Sequence, residues 1–269
     1  MPIRGGIVAT ICAGILLGGA VSALGEDVDP LNGIQKYRDM LKDDNPAELS
    51  EMSGEALWTT PRGPRQATLE ACDLGLGPGV VEGAYARLPR WFPDVARVQD
   101  IESRLVTCMT TLQGMTAEQA TKDWTNPGSD LENLVTYVAG KSLGVPIDVP
   151  ALHPREAELA AIGEVLFFRR AGPLDFACAT CHSQDGRRIR LQDLPNFLDP
   201  ESARGSMTTW PAYRVSQSAV WTMERRLIDC IRQMRQPEPE FGSELLIALQ
   251  VWLQKQANGG AMAAPGMKR

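Results

Sequence analysis

Apolar and polar positions alternate with helical period in four stretches of this chain. Glu156 to Phe168 (EAELAAIGEVLFF) follows Pro154, a favoured first residue of a helix, and Gly172 and Pro173 stop it. Met223 to Met234 (MERRLIDCIRQM), Leu131 to Val138 and Leu245 to Leu253 carry the same period. The pattern predicts a mainly α protein. A fifth stretch differs: Gly5 to Ala20 is an apolar run rich in small residues, preceded by Arg4. Val21-Ser22-Ala23 and Ala23-Leu24-Gly25 each end it with a small-x-small cleavage pattern, and charge begins at Glu26. This reads as an export leader over residues 1–25 and predicts a periplasmic protein. An uncleaved anchor suits the run less well, because it is short and Gly-rich. No other stretch is apolar enough to span a membrane. The expected organisation is a leader at 1–25, domains at 26–150 and 151–260, and a flexible tail at 261–269.

Composition narrows the function. The 269 residues suffice for two modest cores. A net charge of −6 argues against nucleic acid, whose phosphates call for a basic face. The 19 prolines and 25 glycines predict a loop-rich chain, as in folds where a cofactor replaces part of the core.

The six cysteines carry the chemistry. Cys12 falls in the leader. Cys178-Ala179-Thr180-Cys181-His182 is C-x-x-C-H: two thiols on one helical turn reach the two vinyl groups of a haem, and the histidine becomes the proximal iron ligand. One covalent haem c is therefore expected. The chain has only two histidines, too few for a copper cage, and His153 reads as a helix-start residue. Cys72 and Cys108 are free to pair in an oxidising compartment, which leaves Cys230 alone.

The two halves look alike. Cys72-Asp73, Leu88-Pro89 and Glu102 to Cys108 are followed in the same order by Cys181-His182, Leu194-Pro195 and Glu224 to Cys230. Both series end on E-x-R-L-x-x-C. The expectation is two cytochrome c-like domains related by duplication, with haem only in the C-terminal one. Cys72 then corresponds to Cys181 and Cys108 to Cys230. With no haem between them, Cys72 and Cys108 would form a disulfide worth about 3–4 kcal/mol.

The sixth iron ligand is open among Met207, Met223, Cys230 and Met234. Methionine is the usual choice of an electron carrier, and Met234 is its best candidate. The duplication favours Cys230. Arg226, one helical turn earlier, lies on the same face, where a guanidinium lowers a thiol pKa and binds anions. Arg225, Arg232 and Arg235 add positive charge, suiting a small sulfur oxyanion.

These residues also carry a family resemblance. CDLGLGPG at 72–79, LPRWFPD at 88–94, the C-A-T-C-H motif, WPAYRV at 210–215 and RRLIDCIRQMR at 225–235 resemble SoxA, the larger subunit of the SoxAX cytochrome of thiosulfate oxidation. The resemblance implies an L-cysteine S-thiosulfotransferase that couples thiosulfate to a carrier cysteine on SoxYZ. It implies Cys230 as haem ligand and persulfide-bearing catalytic residue, Arg226 as substrate-binding residue, and a monohaem form with a Cys72–Cys108 disulfide. It also implies a haem-bearing SoxX partner. The competing reading is a plain periplasmic electron carrier with an inert Cys230.

Overall fold

The computed structural model describes residues 44–189 and 192–268, and the isolated positions 32, 33, 36, 37 and 40. The proposed leader, with Cys12, lies outside them. The first half contains α1 (Ala47–Thr59), strands β1 (Arg90–Phe92) and β2 (Arg97–Gln99), α2 (Ile101–Thr111), the short α3 (Ala117–Ala120) and α4 (Asp130–Gly140). The second contains α5 (Pro154–Phe168), the single-turn α6 (Cys178–His182), β3 (Arg188–Ile189), β4 (Gln192–Asp193), α7 (Pro200–Met207), β5 (Ala212–Arg214), β6 (Ala219–Trp221), α8 (Met223–Gln233) and α9 (Glu244–Gln256). Strand β7 (Gly266–Lys268) ends it. The four helices read from periodicity are α4, α5, α8 and α9.

Each half is built around one helix pair that meets at a glycine. In the first, α1 crosses α4 at Gly54. A Cβ there would sit far inside contact distance of the Asn133 carbonyl and the Tyr137 Cβ. In the second, α5 crosses α9 at Gly163, against the Ala248 carbonyl and the Trp252 Cβ. Only a residue without a side chain lets two helix backbones approach so closely.

The same succession follows in both halves. Gly63-Pro64 and Gly172-Pro173 open matching turns, bridged Arg62 to Ala67 and Ala171 to Phe176, with Gly63 and Gly172 at φ 68° and 72°. A cis Leu88–Pro89 bond enters the antiparallel β1–β2 hairpin, and a cis Trp210–Pro211 bond enters the β5–β6 hairpin. Asp100 and Thr222 then cap α2 and α8, accepting from the backbone N–H of Ser103 and Arg225. Gly54 to Cys72 spans the same interval as Gly163 to Cys181, and Pro89 to Cys108 the same as Pro211 to Cys230. This corrects one landmark. The counterpart of Leu88-Pro89 is Trp210-Pro211, not Leu194-Pro195, which leads into no such hairpin.

The halves share one continuous core, running from Trp58, Leu105 and Leu134 to Met207, Leu246 and Trp252. Polar contacts cross it as well. Glu224 donates its N–H to Glu102 Oε1 at 3.2 Å, and Gln250 on α9 donates to Asp100. His153 caps α5 through Nδ1 and stacks on Trp91 of β1 at 4.3 Å, consistent with its reading as a helix-start residue.

The C-terminal segment departs from expectation. Residues 261–268 are not a loose tail but part of the fold. Met262 and Ala264 are buried, and backbone bonds join Gly144 and Val145 to Met262. Strand β7 runs parallel to β5, and Asn45 Nδ2 donates to Pro265 O at 2.8 Å. The segment carries no hydrophobic period of its own, so its burial depends on edges supplied by both halves.

Candidate functional site

Helix α6 is a single turn held by local bonds. Thr180 Oγ1 accepts from the Ala177 N–H at 3.0 Å, and Ser183 Oγ donates to Ala179 O at 2.6 Å. That turn brings Cys178, Cys181 and His182 together, all half-buried. The His182 Nδ1 lies 2.9 Å from the Pro195 carbonyl. A carbonyl only accepts, so Nδ1 carries the proton and Nε2 keeps its lone pair. Burial lowers the His182 pKa, which keeps the ring neutral. Phe197 packs beside the ring at 5.3 Å.

Helix α8 faces this turn. Cys230 feels the charge of Cys178 and Cys181, and Arg226 that of His182. Cys178, Cys181 and Cys230 all remain free thiols. Burial pushes Cys178 up to about 12 and also raises Cys230. At Cys230 the Arg226 and Arg214 guanidiniums pull the other way, and Asp229 adds to the rise. The expectation that Arg226 leaves a net lowered thiol is therefore corrected: desolvation outweighs it.

The donor set fits a covalently attached haem c. Two free thiols sit on one turn with a histidine whose Nε2 is available, and a third thiol faces them. A cleft open to solvent adjoins Cys178, with Leu166, Ile231, Met234 and Leu249 as its apolar wall and Arg169 and Gln236 as its polar lining, a setting suited to a porphyrin edge. Of the methionine candidates, Met207 and Met223 are buried in the core, while Met234 lines this cleft.

Arg226 is half-buried and pairs with Asp229 at 3.2 Å; Asp229 also binds Arg232 and Gln233. Two further arginines lie close by. Arg225 is 4.6 Å and Arg214 4.7 Å from the Trp221 ring centre. Arg225 reaches across to Glu132 on α4 at 3.4 Å. Burial raises Glu132 to about 7, against the pull of Gly128 N–H and Arg225. Glu132, Arg214, Trp221 and Pro195 were not legible as site residues. Only the quoted WPAYRV segment pointed near them. Arg235, expected near the site, follows the end of α8 at φ 58°.

Cys72 and Cys108 form a disulfide, with Cα atoms 5.6 Å apart. It lies in the first half, at positions that match Cys181 and Cys230 in their spacing from the glycine crossing and the cis proline.

Comparison with known proteins follows the same lines. Residues 53–147, the half without C-x-x-C-H, match the family described as SoxA/TsdA, cytochrome c domain. An L-cysteine S-thiosulfotransferase subunit SoxA of Hydrogenophilus thermoluteolus is 47% identical over 97% of this chain and 97% of its own length. A second, from Hydrogenobacter thermophilus, is 33% identical over 95% of this chain and 97% of its own. The fold matches the crystal structure of SoxXA from P. pantotrophus with a TM-score of 0.73 at 23% identity, covering 87% of this chain and 84% of that one. No helix among the described residues is long and apolar enough to cross a membrane. With a disulfide-stapled first half that lacks C-x-x-C-H, and a thiol–arginine helix opposite the C-x-x-C-H turn of the second, the chain belongs to the SoxA family of L-cysteine S-thiosulfotransferase subunits.

Proposed function

We propose that this chain joins thiosulfate oxidatively to a cysteine of a SoxYZ-type carrier in the periplasm, together with a SoxX-type haem subunit. A new S–S bond forms between the carrier sulfur and the outer sulfur of thiosulfate, the carrier thiol loses its proton, and two electrons pass one at a time to c-type haem, on this chain and on the SoxX-type subunit. The two halves are read as a duplication in which only the second keeps a haem, one per chain. That reading is supported by the matched glycine crossings, hairpins and cysteine positions.

Cys178 and Cys181 would hold haem c covalently, and His182 and Cys230 would offer its iron a nitrogen and a sulfur donor. Bound there, the group supplies a one-electron acceptor and a Lewis acid for sulfur. The chain's residues do the rest. Arg226 holds the sulfonate end of thiosulfate by charge-assisted bonds, its planar fork matching two oxygens. Asp229 restrains that fork. Cys230, as thiolate, would bond the outer sulfur of thiosulfate as the two electrons leave, and the carrier thiolate would then attack that sulfur and displace the Cys230 thiolate. The apolar walls around it limit water, which strengthens each charge–charge contact.

The observation that carries this reading is Arg226 one turn before Cys230 on α8, facing the haem-attachment turn. The test is Cys230→Ala in the assembled complex with thiosulfate and SoxYZ. Loss of coupling by about 100-fold or more is expected when a nucleophile is removed. Full coupling in that variant returns the chain to the electron-carrier reading.

A further inference from the structure

We propose that Arg214 is a second oxyanion-binding residue of the Cys230 site, acting beside Arg226 with help from the Trp221 indole N–H. The inference rests on the reading of Cys230 and Arg226 above.

Three guanidiniums crowd this corner, and they are not equivalent. Arg225 has the Glu132 carboxylate and Arg226 has Asp229. Arg214, at the end of β5, is half-buried and has no ion pair among the described residues. Its Nε–H is buried without an acceptor. The Trp221 Nε1–H is also buried without one, in the ring that Arg214 covers at 4.7 Å. Two buried donors left unmet are costly unless an acceptor joins them, and beside a half-buried guanidinium an anion is the acceptor that fits.

The first half indicates what is special here. The position matching Arg214 is Phe92, whose ring lies 4.0 Å from the Arg104 guanidinium, the counterpart of Arg226. An aromatic ring stabilises the arginine in the half with the disulfide. In the half with Cys230 a second cation stands in that place. Arg214 lies near enough to Arg226 for the two guanidiniums to repel each other. Two guanidiniums against the single Asp229 carboxylate suit an anion with several oxygens. A sulfonate of the substrate and a carboxylate of a haem propionate share this chemistry. The substrate is the expected occupant, because the charges Arg214 feels most are Arg226, Asp229 and Cys230.

The test uses Arg214→Lys and Trp221→Phe in the chain assembled with its haem-bearing partner. Lysine keeps the charge and loses the fork; phenylalanine keeps the ring and loses the N–H. Thiosulfate KM and kcat are measured with the haem midpoint potential. For a substrate oxyanion, KM rises about tenfold or more in Arg214→Lys with the potential unmoved. A lowered potential with KM unchanged identifies the propionate and still upholds the oxyanion site. If neither quantity moves in either variant, the proposal is overturned. Arg214→Lys carries the test alone if Trp221→Phe does not fold. Undiminished coupling in Cys230→Ala would remove the catalytic reading, while the KM and potential of Arg214→Lys would still report whether an anion is held.

Discussion

Arg104 and Arg226 hold the same place in the two halves, one helical turn before Cys108 and Cys230, and their surroundings differ in kind. Arg104 is buried and fully employed. It donates to Asp73 O at 2.6 Å, Asp94 at 2.7 Å and Gln99 at 3.4 Å, and lies over the Phe92 ring. Arg226 is half-buried with one carboxylate, and Phe92 and Asp94 are replaced by Arg214 and Ser216. In the first half the arginine is part of the packing and the cysteine is closed in a disulfide. In the second the arginine keeps one carboxylate partner and lies on the same helix as a free thiol. One scaffold thus yields a structural body or a chemical site, depending on whether the arginine's hydrogen bonds are met internally.

Where the halves meet they are alike, and there the largest effect is expected. Glu102 and Glu224 are corresponding residues, both fully buried, with Asp100 and Tyr85 as the titratable neighbours. Burial, then Asp100, raises Glu102 to about 8, and Glu224 is raised for the same reasons. The folded chain holds a proton that the unfolded chain releases above its ordinary carboxyl pKa. Stability therefore falls as pH rises from about 4.5 to about 8, with a limiting slope of about 1.4 kcal/mol per pH unit for one proton. Glu102→Gln should reduce that slope by the share of one carboxyl, leaving that of Glu224, as measured by urea unfolding at several pH values. An unchanged slope would mean that the pair is solvated.

The disulfide comes next. Cys72→Ser with Cys108→Ser should cost about 3–4 kcal/mol in unfolding free energy. Haem content and the absorption spectrum should hold in the protein that remains folded. Loss of haem at full stability would mean that the first half shapes the site directly.

How much was legible follows from which interactions are local. The C-x-x-C-H turn, α4, α5, α8 and α9 were readable because period, caps and the C-x-x-C-H motif are short-range signals. Helix α1 was not. Its apolar Leu49 and Met52 face solvent, so its pattern marks no buried face, and it is held by the close approach at Gly54, which depends on a partner far along the chain. Strands β1, β2, β5 and β6 are three residues each, too short for alternation to register. The wrong Leu-Pro match arose for the same reason: the hairpin that distinguishes Trp210-Pro211 is a structural feature. Arg214 and Glu132 joined the site only through folding, since neither lies near Cys230 in sequence.

The glycine crossings test the likeness more gently. Gly54→Ala and Gly163→Ala should each cost about 1–3 kcal/mol, because the new methyl group meets a carbonyl that cannot retreat. Chemical denaturation would read both. Unequal costs would show that one helix pair opens more readily than the other.

The smallest effect separates the halves most cleanly. Arg104→Lys replaces a fork with a point charge where three acceptors and a ring were matched to it. It should lose about 1 kcal/mol of stability and leave the kcat/KM of the folded protein unchanged. Arg226→Lys should do the reverse, lowering kcat/KM for thiosulfate about tenfold at nearly unchanged stability, since only Asp229 is disturbed. Denaturation and steady-state kinetics on the same two variants decide it. If both variants lose stability and neither loses activity, Arg226 is packing as Arg104 is, and the contrast between the halves would have to rest on the cysteines alone.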